Sequence, residues 1–297
     1  MEDMKRKQFL AAVSALPLTG AVVKLNSLRS FANTLDTTDK MPVLFLGHGS
    51  PMNAIEDNEF VQGFKKISKE IEKPRAILVI SAHWETRGTY VTAMENPLTI
   101  HDFGGFPQAL FDVQYPAPGS PELASLTKDI VKSTEVYLDE KWGLDHGSWS
   151  VIKHLYPNAD VPVIQMSIDY TQPAAFHYAL AKELALLRHK GVLIVGSGNI
   201  VHNLRMVSWS HIDTVGYAFD WAKQANEIMK KYISEGNHHA LINYQKQGRE
   251  FELAIPTPEH YLPLLYSLAL QDKNEEIHIF NDQAVAGSLT MTSLKIG

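Results

Sequence analysis

Short apolar runs and longer stretches of helical periodicity alternate from Met41 onward, a pattern that predicts an α/β domain. Pro42 to Leu46 and Ala76 to Ile80 are uninterrupted apolar runs bounded by turn residues, as strands covered on both faces are. Between them Phe60, Phe64, Ile67 and Ile71 recur on one helix face, with Asp57 as the expected cap and Pro74 as the stop. The same unit then repeats. Thr89 to Met94 predicts a third strand, Leu123, Leu126 and Ile130 mark a helix after Pro121, and Val161 to Ile168 predicts a fourth strand. A helix with Phe176, Leu180, Leu184 and Leu187 inward follows, and Gly191 leads into the run Val192 to Val195. Tyr217 to Ile233 reads as a further helix, and strands are expected at His278 to Phe280 and Ser288 to Leu294. With no internal repeat and no second linker, residues 41–297 are expected to form a single α/β domain. Its sheet should be central and mixed, with helices on both faces and ligands at the loops after the strand ends.

Residues 1–40 depart from this pattern. Lys5-Arg6-Lys7 precedes an apolar, small-residue run from Ala11 to Val23, too short to span a bilayer and shaped like an export signal. Arg6-Lys7-Gln8-Phe9-Leu10 resembles a twin-arginine signal with lysine in the second arginine's place, and Ser30-Phe31-Ala32 offers a cleavage context. The expectation is export to the periplasm, against the alternative of an amphipathic N-terminal helix on a cytoplasmic protein. Leu35 to Lys40 reads as a polar linker, and no other segment approaches transmembrane length.

Composition narrows the chemistry. A net charge of −6 and a pI near 6.1 supply no basic stripe for a phosphate backbone, so nucleic acid is not expected as a partner. The chain has no cysteine, which removes disulfides, thiolate metal sites and cysteine nucleophiles and leaves any metal to His, Asp or Glu. Gly47-His48-Gly49-Ser50 lacks the ending of a phosphate-binding loop, Gly196-Ser197-Gly198 lacks the third glycine of a dinucleotide fingerprint, and no nucleophile elbow occurs.

Of the 13 histidines, three stand just after predicted strands: His48 in Gly47-His48-Gly49-Ser50-Pro51, His83 in Ser81-Ala82-His83-Trp84, and His202 in Gly196 to Asn203. Three imidazoles on one sheet edge suit a metal better than one would. His146, in Leu144-Asp145-His146-Gly147, sits on a turn before a helix with Asp145 available to tune it, and His260 follows Pro256-Thr257-Pro258-Glu259. His154 and His177 read as helix residues, packed or at the surface, while His189, His211, His238, His239 and His278 read as solvated. His101 is intermediate between pocket lining and loop support. Trp84, Tyr115, Phe103 and Phe106 are candidates for an aromatic wall, or for ordinary core.

Gly47-His48-Gly49-Ser50-Pro51, Ser81-Ala82-His83-Trp84, Leu144-Asp145-His146-Gly147, His202-Asn203-Leu204 and Pro258-Glu259-His260-Tyr261 together resemble, in this order, the class III extradiol ring-cleavage dioxygenases, in particular their DOPA dioxygenase branch. The resemblance runs from about Met41 to the C-terminus. It implies that His48, His83 and His260 are metal ligands, that His202 is either a fourth ligand or an acid/base group, and that His146 carries a proton. It implies a catechol and O2 as substrates, ring opening to a muconic semialdehyde, and one divalent metal. Fe(II) suits that chemistry, whereas a four-nitrogen cage also suits Zn(II). Two other readings share the cage: a zinc hydrolase with Glu85 or Glu259 as base, and a non-catalytic metal-binding protein.

Overall fold

The computed structural model describes residues 38–297, and the leader and cleavage context expected before them lie outside the described residues. Among the described residues ten strands appear: β1 Val43–Gly47, β2 Ala76–Thr86, β3 Thr89–Thr92, β4 Val136–Asp139, β5 Val163–Asp169, β6 Val192–Gly198, β7 Ile277–Phe280, β8 Ala284–Val285, β9 Leu289–Thr290 and β10 Ser293–Ile296. Eight of them form one sheet in the order β4-β3-β5-β2-β6-β1-β10-β7, and β8 pairs with β9 apart from it. The central run β5-β2-β6-β1 is parallel, while β3 joins β5, and β10 joins β1 and β7, in antiparallel fashion. The mixed sheet expected from the sequence is the one observed. The apolar runs became the parallel centre because only strands covered on both faces need apolar side chains on both.

The longer helices are α1 Glu59–Ser68, α2 Pro121–Ile130, α3 His146–Leu155, α4 Ala174–Glu183, α5 Asp220–Ser234 and α6 Leu262–Ala269. On one sheet face Leu44, Leu46, Ile77, Val79, Leu193 and Val195 pack with Phe60, Phe64 and Ile67 of α1 and with Trp149 and Ile152 of α3. The alternate strand residues Val43, Phe45, Leu78, Ile80 and Ile194 are equally buried, and α6, backed by α4, packs on β6, β1 and β2. At about 1.5–3 kcal/mol per fully buried Leu, Ile, Val or Phe, this two-sided burial is the main term holding the strands in register.

Several elements differ from the expectation. Asn58, not Asp57, caps α1 by accepting from Val61 N at 3.1 Å, and Asp57 instead pairs with Lys65 at 2.7 Å on the surface. The cap is worth about 1 kcal/mol and the exposed pair less. β4 was not expected, and the single strand predicted over Ser288 to Leu294 is two, β9 and β10. Hydrogen bonds from Thr38 N to His189 O and from Met41 N to Arg188 O, both 3.0 Å, attach the residues just before β1 to the domain. Among the described residues no helix is long and apolar enough to cross a membrane.

Candidate active site

The carboxyl ends of β1, β2 and β6 lie side by side, with Gly47 opposite Gly198 and Ser81 opposite Ser197. His48 follows β1 directly. His83 lies inside β2 and not beyond it, because β2 runs on to Thr86. The ladder to β5 nevertheless breaks between Ile80 and Glu85, and such an irregularity re-aims a side chain within a strand. His146 is the first residue of α3, whose N-cap is Asp145. His202 is held beyond β6 by its N–H to Ala254 O at 2.9 Å and by a bridge to Leu289. His260 precedes α6, and its carbonyl accepts from Asn199 N at 2.9 Å.

The fold brings all five imidazoles together. Ring centroids of His48 and His83 are 5.0 Å apart, those of His260 lie 5.3 Å from His48 and 5.0 Å from His83, and His146 stands 3.9 Å from His83. His202 is stacked on His260 at 3.6 Å and 8°. Donor atoms within 4.8 Å of one another fall into two groups among the described residues: His48, His83 and His146, and His202, Glu259 and His260. His146 thus stands as near to His48 and His83 as a ligand would. Burial, then the adjacent rings, holds His48 and His83 well below the usual imidazole range, and burial followed by His260 lowers His202 to about 3. These three rings are neutral, so lone pairs are available to a cation.

Second contacts decide which nitrogen carries the lone pair. Ser197 Oγ donates its one proton to Gly147 O at 2.5 Å, so toward His48 Nδ1, 3.0 Å away, it can only accept. His48 therefore carries its proton on Nδ1 and leaves Nε2 free. His260 Nδ1 faces Glu259 Oε1 at 3.0 Å, and His83 Nδ1 stands 3.5 Å from Asp102 Oδ2. The Nε2 atoms of His48 and His83 are 3.2 Å apart. Two nitrogens bound tetrahedrally at ~2.1 Å from one ion would be separated by ~3.4 Å, so the facing His48 and His83 nitrogens fit a single divalent metal.

Asp145, expected to tune His146, is turned away from it. Its carboxylate accepts from Ser81 Oγ and Gln165 Nε2, both at 2.7 Å, and from Ser148 N at 3.0 Å. Asp102 takes the expected place: Oδ2 accepts from His146 Nδ1 at 2.9 Å and Oδ1 from His146 N at 2.8 Å. Burial disfavours its charge, but these bonds outweigh that and hold Asp102 below the usual carboxylate range. Asp102 and Ser197 are the site residues the sequence did not disclose; the nearest signal is the position of Asp102 beside His101 in a loop rich in aromatics and glycine.

Of the aromatic candidates, Phe103 meets His146 edge-on at 5.5 Å and packs on Phe106. Trp84 is buried and stacked on Trp142, and buried Tyr115 donates to Tyr156 O at 2.9 Å, so both belong to the core. His101 supports its loop through Val113 O at 3.0 Å, His154 meets Asn53 O at 2.7 Å, and His177 meets Tyr266 Oη at 3.0 Å. Burial, then the charge of Glu259, raises Glu85, while Glu259, disfavoured by burial but bonded to His260, is held near 2. A carboxylate so acidic is a weak base for hydrolysis.

Comparison with known proteins places the chain in a family. Residues 42–289 match the family model described as the catalytic LigB subunit of aromatic ring-opening dioxygenase. The chain is 51% identical over 266 residues to a protein of Escherichia coli K12 named 4,5-DOPA dioxygenase extradiol, covering 88% of this chain and 96% of that one. It is 35% identical over 257 residues to a protein of the same name from Beta vulgaris, with 84% and 94% covered. A crystal structure of an uncharacterised Escherichia coli K12 protein superposes with a TM-score of 0.75 at 45% identity, covering 87% of this chain and all of that one. This chain therefore belongs to the LigB family of extradiol ring-opening dioxygenases, enzymes that act on a small molecule with O2.

Proposed function

We propose that this enzyme opens the ring of a catechol beside its diol, inserting both atoms of O2 to give a muconic semialdehyde. The observation that carries the reading is the convergence of five histidines from five separate segments, with the Nε2 atoms of His48 and His83 facing each other at 3.2 Å. His48, His83 and His260 would hold the ion, each with Nδ1 turned to an oxygen and Nε2 left for ligation. His202, parallel to His260, would complete the cage or exchange protons beside it. When bound, Fe(II) with open positions supplies chelation of the two catechol oxygens and activation of O2, whereas Zn(II) fits the same nitrogens without redox chemistry.

His146 would act on protons. Its Nδ1 is engaged by Asp102, so Nε2 is the nitrogen left to accept a catechol proton and return it as the ring opens. Phe103, edge-on to His146, would border the aromatic ring of the substrate. The relatives named 4,5-DOPA dioxygenase extradiol make DOPA the first catechol to test.

The test is oxygen uptake by anaerobically Fe(II)-loaded protein with DOPA, caffeate and simpler catechols, with appearance of a yellow semialdehyde. His48→Ala, His83→Ala and His260→Ala should lose both metal and turnover, whereas His146→Ala should keep the metal and lose turnover. Loss of metal from His146→Ala would instead move His146 into the ligand set. No uptake with any catechol would reject the reading. We further propose that residues 1–40 direct export, which predicts a periplasmic protein whose mature N-terminus, read by mass spectrometry, lies just after Ala32.

A further inference from the structure

We infer that Asp102 is the positioning residue that fixes the tautomer of His146 and, through the same carboxylate, steadies His83. This rests on the catechol reading for what the tautomer is used for, but not for the tautomer itself. Asp102 spends both oxygens on one residue: Oδ1 accepts from the His146 backbone N–H at 2.8 Å and Oδ2 from ring Nδ1 at 2.9 Å. The backbone N–H can only donate, so it locks the carboxylate in one orientation. Ring Nδ1 then meets an acceptor and must carry the proton. The lone pair is left on Nε2, where a general base needs it. Oδ2 also stands 3.5 Å from His83 Nδ1, so one atom bonds the ring of the proton carrier and lies beside the ring of a proposed ligand. Asp145, next to His146 in sequence, cannot take this role, because it is consumed by Ser81, Gln165 and Ser148.

The same geometry makes asparagine a sharper probe than alanine. In Asp102→Asn the His146 backbone N–H requires the amide oxygen on its side. The amide NH2 is thereby turned to the ring, where it can only donate. His146 must then accept at Nδ1 and carry its proton on Nε2, the reverse of the parent, while His83 Nδ1 loses the carboxylate charge beside it. Asp102→Ala imposes no tautomer at all.

Long-range 1H–15N correlation on Zn(II)-loaded, 15N-labelled protein reads the tautomer without any turnover. The expected result is a proton on Nδ1 of His146 in the parent and on Nε2 in Asp102→Asn. With Fe(II) and a catechol, Asp102→Asn should lower kcat by about 10²–10³ with KM within about threefold, and more than Asp102→Ala does. Its Kd for Zn(II) should rise about tenfold. A parent spectrum with the His146 proton on Nε2 overturns the inference, and that measurement needs no variant to fold. So does an Asp102→Asn protein that keeps the Nδ1 proton. Absence of catechol turnover in the parent would instead defeat the functional reading while leaving the tautomer measurable.

Discussion

Asp145 is fully buried, and burial followed by the nearby charge of Asp102 raises its carboxyl above the usual range even though three donors converge on it. Its work is structural: it caps α3 through Ser148 N and joins that helix to Ser81 on β2 and Gln165 on β5. Asp145→Ala removes a cap worth about 1 kcal/mol and leaves Ser81 and Gln165 without their partner at about 1–3 kcal/mol more. Urea unfolding should show a loss of about 2–4 kcal/mol at unchanged slope. Gly147 raises a different constraint, since a Cβ there would stand 2.5 Å from Ser81 Oγ and 2.8 Å from His83 Cδ2. Gly147→Ala should displace the His83 ring, weakening Zn(II) binding about tenfold by titration while costing only about 1–3 kcal/mol of stability. The five histidines were legible in the sequence, three from their place after predicted strands and His146 and His260 from their short motifs, because position and residue type are local properties. Asp102 and Ser197 were not, because each acts on a histidine 44 and 149 positions away, and a spacing of that size leaves no periodic trace.

Among elements, what the sequence disclosed follows from burial. β1, β6 and the first half of β2 are covered on both faces and read as apolar runs, as does β5 but for Gln165 and Ser167, whereas β4 at the sheet edge exposes Tyr137 and Leu138 and offers no such run. The cap of α1 was misplaced by one residue because Asp57 and Asn58 carry equivalent acceptors, and only the chain's entry angle selects between them. The contact between the end of the short helix Ala185–Arg188 and the segment before β7 was equally invisible. Buried Arg188 donates to Met41 O at 2.7 Å, to Leu270 O at 2.6 Å and to Glu275 at 2.5 and 2.9 Å, and Lys40 Nζ lies 2.7 Å from Glu275. Burial disfavours the Glu275 charge, but the bonds from Arg188, the Asp272 backbone and Lys40 outweigh it and lower the carboxyl to about 2. The folded value lies below the unfolded one of about 4.3, so this stabilisation is complete above pH ~4.3 and is lost as pH falls toward 2. Glu275→Gln should therefore lower the urea midpoint at neutral pH and flatten its decline between pH 4.3 and 2. An equally steep acid decline in the variant would place the titrating groups elsewhere.

At the scale of the whole molecule, the proposed ligands are far apart in sequence and adjacent only in the folded state. His48 leaves β1, His83 rides the irregular stretch of β2, and His260 is set by the close approach of its backbone to β6, where a Cβ on Gly198 would land on the His260 carbonyl oxygen. The unfolded chain cannot present these nitrogens together, so an ion bound there adds its full linkage energy to stability, RT ln(1 + [L]/Kd), or about 2.7 kcal/mol at a hundredfold excess over Kd. At about 2–4 °C per kcal/mol for a chain of this size, Zn(II) at that concentration should raise the Tm of metal-free protein by about 5–10 °C, and a chelator should reverse the rise. The packed sheet does not depend on the ion, since its apolar strands are buried between α1 and α3 on one face and α6 on the other. The metal-free protein should accordingly melt cooperatively, only at lower temperature. His48→Ala removes one of the two facing Nε2 atoms and should abolish most of the Zn(II)-dependent shift, while His146→Ala should retain it. A His48→Ala protein whose Tm still climbed with Zn(II) would show the stabilising ion to be bound somewhere other than among these five rings.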